Sequence, residues 1–384
     1  MEVIYQVCSF IGKDLTWETA IHAVNYLRDK GILKKLISLN TFYNLKPNDF
    51  NIANKGSLNI SYFFRPLYRN KTINNILLPT IFDKISSEFF VEECDIFHGW
   101  ATHSLFSIKK AQKLGSKSVL EVGSAHIIEE MKILVKETRM WGLKYDYSMF
   151  NIKRLMNEYI ITDYILVPSE YVRQSFLKQG FSAEKIKKLN FGIDLNECVP
   201  NNYDHEKFRI IYTGSVTLRK GIQYLLSALQ NLSLKDTELL VVGGIDDSMK
   251  NLIAQLLRRI RIPVTFLGRV PRKIFLNRLS SSSLYVFPSL SDGWAMTVPE
   301  AMARGLPVIT TKNVGSSELI ENGKEGFVIP IRDVKSLREY ILYFYDNPSE
   351  IKRMGKNSFE KISKYAWTEY SKNLISFYNE ILHK

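Results

Sequence analysis

Short apolar strands alternate with amphipathic helices along this chain, and the alternation runs through twice. In the first half, VIYQVCSF, KKLISLN, the end of ECDIFHGW, KSVLEVGS, ITDYILVPS and KKLNFGID read as strands. Between them, Thr16 to Lys30 places Ala20, Ala23, Val24 and Leu27 on one helical face and ends at Gly31. A second helix starts near Ile127 and a third is YVRQSFLKQG. Lys46 to Asn75 is polar and Asn-rich and yields no assignment. Asn196 to Lys207, NECVPNNYDHEK, is polar, contains Pro and is poor in apolar residues, so it reads as a linker. The pattern then restarts with FRIIYTG, a helix from Gly221, TELLVVGG, a helix from Ser248, IPVTFLG, SLYVFPS and EGFVIP. Strands alternating with helices imply parallel sheets built from βαβ units, and the restart implies two of them. The expected division is residues 1–198, residues 199–366 and an amphipathic terminal helix over 367–384.

A length of 384 residues suits two domains, and 45% hydrophobic with 12% aromatic content supports large cores. The net charge of +13 points to an anionic partner: nucleic acid, a phosphorylated substrate or an anionic membrane surface. The cations are spread over both halves, and there is no RRM, KH or helix-turn-helix signal, which argues against nucleic acid. Cys8, Cys94 and Cys198 form neither a disulfide framework nor a CxxC metal pattern, and there is no HExxH. The N-terminus lacks a basic n-region and reads as a first strand. No apolar run approaches the ~18–20 residues of a spanning helix. A cytoplasmic chain with at most peripheral membrane contact, on the inner face of the cytoplasmic membrane, is the expectation.

Two segments carry chemistry. FPSLSDGWAMTVPEAMARGLPVIT, from Phe287 to Thr310, holds Asp292 in a loop after a strand and Glu300 eight residues later in the first turn of a short helix. Strand, loop, helix, strand is the unit that holds a ligand at the strand ends of an open α/β sheet. Gly293 and Ala295 permit close backbone approach. Thr297-Val-Pro-Glu300 is also a capping box, in which Glu300 bonds back to the backbone at Thr297. FRIIYTGSVTLRKGIQYLLSAL is the second segment: a strand ends at Gly214, and Arg219 and Lys220 precede a helix opening at Gly221. Two cations at a helix N-terminus oppose its dipole by ~0.3–1 kcal/mol each, unless an anion sits there. The alternative is that both extend into water.

Other positions stay open between roles. Gly268 ends a strand at the same edge, where a base can lie against the backbone. Asp246 and Asp247 suit helix capping better than a divalent metal. His126 starts a helix, and His98 and His103 lie at a strand end.

GSVTLRKGIQYLL, LLVVGG, VTFLGRV, VFPSLSDGWAMTVPEAMARGLPVIT and NVGSSELIENGKEGFVIP resemble, in order and spacing, the retaining glycosyltransferases of family four, which have the GT-B fold. SFIGKDLTWETAIHAVNYLRDKG, DIFHGW, VPSEYVRQSF and KLNFGID resemble the family's first half more weakly. The resemblance implies two Rossmann-like domains facing each other across a cleft, with the terminal helix packing back on the first. It implies that Arg219 and Lys220 hold the diphosphate of a nucleotide-sugar donor, that Glu300 bonds the ribose and that Asp292, where the family more often has Glu, contacts the donor sugar. The amides of Gly293, Trp294 and Ala295 then contact the sugar, Thr297 and Val298 the phosphates, and Gly268 faces the base. Gly12 matches one glycine of the family's opening loop, and Gly214 ends the strand before the cation loop. His126 falls where the family often has a histidine near the transferred sugar, with helix capping or a surface position as the alternative, and His98 and His103 either line the acceptor site or are packed in the core or exposed at the surface.

The implied reaction is metal-independent transfer of a sugar, with retention, from a nucleotide-diphosphate sugar (UDP or GDP) to a hydroxyl of a glycan or lipid-linked acceptor. No other cofactor is expected. Arg219 and Lys220 are expected to stabilise the departing diphosphate. MKILVKETRMWGLKYDYSMFNIKRLM, residues 131–156, reads either as an interfacial helix anchored by Trp141 and Tyr145 on anionic lipid or as a packed helix with a solvated basic face. A sugar-nucleotide epimerase of the same fold and a non-catalytic basic binding protein are the alternatives. A dinucleotide oxidoreductase is disfavoured because no GxGxxG follows the first strand.

Overall fold

The computed structural model describes residues 1–10, 15–40, 71–143, 148–200 and 207–383. Gly12 and Tyr145 lie outside the described residues. Among the described residues are two parallel sheets of six strands each.

The first sheet has the order β2-β1-β3-β4-β5-β6. Its strands are β1 (Val3–Phe10), β2 (Leu33–Asn40), β3 (Ile96–Trp100), β4 (Lys117–Glu121), β5 (Tyr164–Val167) and β6 (Ile186–Lys188). The helices of this half are α1 (Leu15–Asp29), α2 (Lys71–Phe89), α3 (Leu105–Lys113), α4 (Ile127–Trp141), α5 (Met149–Ile161) and α6 (Glu170–Leu177). β6 covers three residues and starts one residue earlier than KKLNFGID, because as an edge strand it pairs only with β5, through Ile186 to Lys188.

The second sheet has the order β12-β11-β10-β7-β8-β9. Its strands are β7 (Phe208–Thr213), β8 (Thr237–Val242), β9 (Val264–Gly268), β10 (Leu284–Phe287), β11 (Val308–Thr311) and β12 (Gly326–Ile329). Its helices are α7 (Ile222–Leu229), α8 (Lys250–Leu257), α9 (Arg272–Ser280), α10 (Thr297–Met302), α11 (Val334–Asp346) and α12 (Pro348–Ile362). β10 is buried along its whole length, as expected of a strand covered on both faces. α7, IQYLLSAL, is apolar nearly all round and is almost entirely buried. α12 opens on Pro348, whose missing N–H costs nothing in a first turn.

The last helix, α13 (Trp367–Leu382), returns to the first sheet. Trp367 stacks on His22 of α1 at 4.5 Å, and the Tyr370 hydroxyl donates to Glu121 of β4 at 2.8 Å. Tyr378 and His98 share a hydrogen bond of 2.7 Å, and His98 Nε2 lies 2.9 Å from Glu121. His98 and Glu121 are both buried in this network, so His98 belongs to the core that seats α13. His103 is held by the Thr102 hydroxyl at 2.7 Å, in a loop whose Thr102 adopts φ 82°. That loop is fastened by Glu158, which accepts from the Thr102 and Ser104 amides at 2.6 and 2.9 Å.

The basic segment 131–156 is folded inward in part. Arg154 pairs with buried Asp83 at 2.7 Å, and Glu137 is wholly buried. Trp141 packs edge-on against Tyr224 of the second domain at 5.9 Å. Its ring serves the interface between the two domains, in place of the lipid anchor expected as one reading.

Candidate active site

The order of the second sheet reverses between β10 and β7, which pair through Leu284 with Ile210 and Tyr285 with Ile211. Neighbouring strands whose following connections leave in opposite directions open a crevice at their C-terminal ends, where ligands of open α/β sheets bind. Both chemistry-bearing segments of the sequence meet there. The loop after β7 carries Gly214, at φ 123°, then a short 3₁₀ turn Leu218–Lys220. Gly221 follows at φ 74°, and a Cβ on it would lie 1.9 Å from the Pro288 carbonyl. Only glycine lets the cation loop turn into α7 while resting on the loop after β10.

Lys220 forms an ion pair with Asp292, and Arg219 donates to the Ser291 carbonyl at 2.6 Å with Asp292 4.0 Å away. Burial pushes the Asp292 carboxyl up, but Lys220 and then Arg219 more than offset this and hold it below the ordinary aspartate range. Burial lowers Lys220, and Asp292 only partly restores it. The Ala295 amide also bonds the Asp292 carboxylate. Asp292 therefore sits ionised against two cations, at the point where the sheet order reverses.

The loop from Gly293 to Met296 is buried. Trp294 is 2% exposed and meets Phe191 edge-on at 6.4 Å. Ala295 adopts φ 56° and turns the chain into α10. The helix is capped at Met296, so Thr297 lies inside it and the expected capping box does not form. The Thr297 hydroxyl accepts from Tyr285 at 2.6 Å instead, and Val298 is buried in the core. Glu300 forms an ion pair with Arg272 at the start of α9. Gly268 ends β9 at φ 66°. Asp246 accepts from the Ser248 amide at 3.0 Å, the capping role expected of it.

The first domain closes over this site. The Ser169 hydroxyl donates to the Gly293 carbonyl at 2.8 Å. Tyr171 donates to Ser291 at 2.9 Å, and Ser291 donates to Glu130 of α4 at 3.2 Å. Burial pushes the Tyr171 phenol up to about 12, so it stays a donor. Further along α4, buried Glu137 pairs with Arg332 and accepts from Tyr224 at 2.7 Å. Glu130 and Tyr171 carry no sequence signal for this contact, because the docking of the two domains brings them to Ser291; Ser169 carries only that of a helix N-cap, accepting from the Val172 amide at 3.3 Å. Arg272 does carry one, a cation opening a helix directly after Pro271, the same signal that marks Arg219 and Lys220.

His126 does not join the cation–carboxylate cluster. It is the N-cap of α4, where Nδ1 accepts from the Ile128 amide at 3.3 Å, and its ring lies among Tyr159, Phe176 and Phe181 at 5.0–5.6 Å. Burial lowers its pKa from 6.5 to about 4. A base depressed in the fold binds fewer protons than the unfolded chain between those values. Stability is therefore lost as pH falls through this window, by up to about 1.4 kcal/mol per pH unit. His126→Asn keeps a cap acceptor without the titration, so urea unfolding at pH 4.5 and 6.5 is expected to differ less than in the parent. Equal differences would remove His126 from the acid response.

The two facing α/β domains, with the site at the reversal of the second sheet, constitute the GT-B fold, the fold of a large class of glycosyltransferases. Residues 197–361 match the model for glycosyl transferases group 1, and with the glycosyltransferase relatives this match supports a GT-B glycosyltransferase. It is 24% identical over 270 residues to the capsular polysaccharide biosynthesis glycosyltransferase CapM of Staphylococcus aureus, an alignment covering 62% of this chain and 67% of that protein. In fold it is similar to sucrose-phosphate synthase from Thermosynechococcus elongatus, with TM-score 0.71, 18% identity and all of both chains covered. It is also similar to Anabaena HepE in complex with UDP-glucose, with TM-score 0.68, 14% identity and 99% and 100% of the two chains covered.

Proposed function

We propose that this chain moves a sugar, with retention, from a nucleotide-diphosphate sugar to a hydroxyl of a glycan or lipid-linked acceptor in the synthesis of an envelope polysaccharide. The observation that carries the reading is the meeting of Arg219, Lys220 and Asp292 at the ends of β7 and β10. A diphosphate entering there exchanges with Ser291 and Asp292 for the two cations. Asp292, released from Lys220, turns to the donor sugar, and Glu300 takes the ribose hydroxyls. The relatives support a polysaccharide setting through CapM, and a uridine donor through the UDP-glucose complex of HepE.

In the proposed step the bond from the anomeric carbon to the diphosphate oxygen breaks, and the acceptor oxygen bonds to that carbon on the same face. The acceptor proton passes to the departing phosphate. Arg219 and Lys220 stabilise the charge that grows on that group, so the step is written with protein cations and without a metal. We place the reaction in the cytoplasm, where nucleotide sugars are made, with the acceptor presented at the inner face of the membrane. No helix among the described residues is long and apolar enough to cross a membrane.

A thermal-shift screen against UDP, GDP, ADP and their sugars tests the reading, since a ligand at 100 times its Kd stabilises by about 2.7 kcal/mol. One nucleotide class is expected to raise the melting temperature, and Glu300→Ala to abolish that rise. A Glu300→Ala variant with full nucleotide affinity would remove Glu300 from the site. Conversion of a sugar nucleotide to its epimer, with no acceptor present, would favour the epimerase reading.

A further inference from the structure

The carboxylate placed on the ribose is not isolated. Glu300 is largely buried, with 11% of its side chain exposed, and pairs with one amine of Arg272. The other amine of the same guanidinium pairs with Glu197, and its Nε lies 3.4 Å from that carboxylate's second oxygen. Arg272 thus meets Glu197 with two nitrogens and Glu300 with the third, a use of the planar fork that lysine cannot reproduce. Arg272 is the first residue of α9, where a cation opposes the helix dipole and needs compensation. The two carboxylates supply it.

Glu197 belongs to the linker. It ends the 3₁₀ turn Leu195–Glu197, which Asp194 caps by accepting from the Asn196 amide at 2.9 Å. Just before this turn the two chain crossings between the domains touch. The Ile193 amide donates to the Tyr365 carbonyl at 2.8 Å, and a Cβ on Gly192 would lie 2.4 Å from the Trp367 nitrogen. A small cavity lined by Asp194, Glu197, Arg272, Glu300, Arg304 and Trp367 joins the linker to the start of α10. Arg304, on its wall, is 9% exposed, and its Nε is buried without a hydrogen-bond partner. Burial lowers its pKa, and the Glu197 carboxylate offsets this more than any other charge. Arg272 and Arg304 thus share the cavity with Glu197 and Glu300, and with Asp194 on its linker side.

We propose that Arg272 is a positioning residue that ties the nucleotide carboxylate Glu300 to the domain hinge through Glu197, so that the linker sets part of the affinity for nucleotide. This rests on the reading of Glu300 as the ribose ligand. With Glu197 neutral, Arg272 keeps Glu300 as its one ion-pair partner of the two. Arg272 then turns wholly to Glu300 and competes with the ribose hydroxyls for it. With Arg272 removed, Glu300 loses the group that orients it. Either change weakens nucleotide binding from a residue that does not touch the nucleotide.

The test uses the full chain and calorimetric titration with UDP, GDP and ADP. Glu197→Gln is expected to weaken the nucleotide that binds by about fivefold to tenfold, while the melting temperature of the ligand-free protein stays near the parent's. Arg272→Ala is expected to match it, and Arg272→Lys to recover only a minor part. In a Glu300→Gln background, Glu197→Gln is expected to have no further effect, because its influence passes through Glu300. A purely structural role for Glu197 predicts the same loss in both backgrounds, and that result overturns the proposal, as does unchanged affinity in Glu197→Gln alone. If Glu300→Gln binds nucleotide like the parent, or no nucleotide binds, the donor-site reading itself fails and this one with it. If Glu300→Gln weakens binding and Glu197→Gln does not, only the hinge link fails.

Discussion

Sugar transfer falls on the order of 10⁴-fold when Arg219 and Lys220 are both replaced by alanine, since one donor aimed at developing negative charge contributes about 10²–10³. The two cations stand on the same short turn, within 4.0 Å of Asp292. The double variant also leaves Asp292 buried without its counterions. Breaking a buried pair by removing one partner costs ~3–5 kcal/mol. Protonation of Asp292 relieves part of this, and the 11% and 18% exposure of the two side chains relieves more. Lost turnover therefore has to be separated from lost fold. Adding Asp292→Asn to the double variant removes the stranded charge and is expected to restore the melting temperature but not the rate. Initial rates with the donor found in the thermal-shift screen, alongside circular dichroism, decide the matter. Parental turnover in the folded double variant would sink the diphosphate site.

The second large effect needs one methyl group. A Cβ on Gly293 would stand 1.9 Å from the Gly123 carbonyl of the first domain, a backbone atom that cannot swing aside. Glycine at this point was expected to admit a ligand to the backbone. The structure shows that it also admits the opposite domain. Gly293→Ala has to hold the domains roughly 1 Å further apart at the reaction centre, and a misplacement of that size costs about 10²-fold in rate. Gly123→Ala is the internal control. Its added methyl would meet only the Trp100 ring, at an ordinary 3.8 Å. Rates and solution scattering on the two variants are expected to separate them, with Gly123→Ala near the parent and Gly293→Ala slow and more open. A Gly293→Ala variant of parental rate would mean that the closed contact plays no part in turnover.

Local signals in the sequence carried the sheet-and-helix framework and much of the site. β1 and the start of α4 fall where periodicity puts them, because both are fixed by residues adjacent in the chain. Arg219, Lys220 and Asp292 were legible because each sits one short loop beyond an apolar strand, and parallel sheets bring strand ends to one edge. The capping box was the local reading that failed. Ala295, in a left-handed conformation, moves the helix start so that Met296 caps it, and Tyr285 from the neighbouring strand takes the Thr297 hydroxyl. The fate of Glu300 then turns on Arg272, 28 residues away, and that of Arg272 on Glu197, 75 residues away. Ion pairs across such separations leave no periodic trace. Trp141 misleads for the same reason, since a basic aromatic helix reads alike whether its ring meets lipid or Tyr224.

The return of α13 to the first sheet bears on how such chains can be recombined. The first sheet is finished by residues that follow the second domain in the chain: Tyr370 and Tyr378 supply hydroxyls to Glu121 and His98, and Trp367 covers His22. A hybrid that grafts a foreign first half onto this second half at the linker would therefore inherit a tail cut for the wrong partner. Exchange that respects the packing takes residues 367–382 together with the first half, as one discontinuous cassette, and leaves the middle of the chain as the insert.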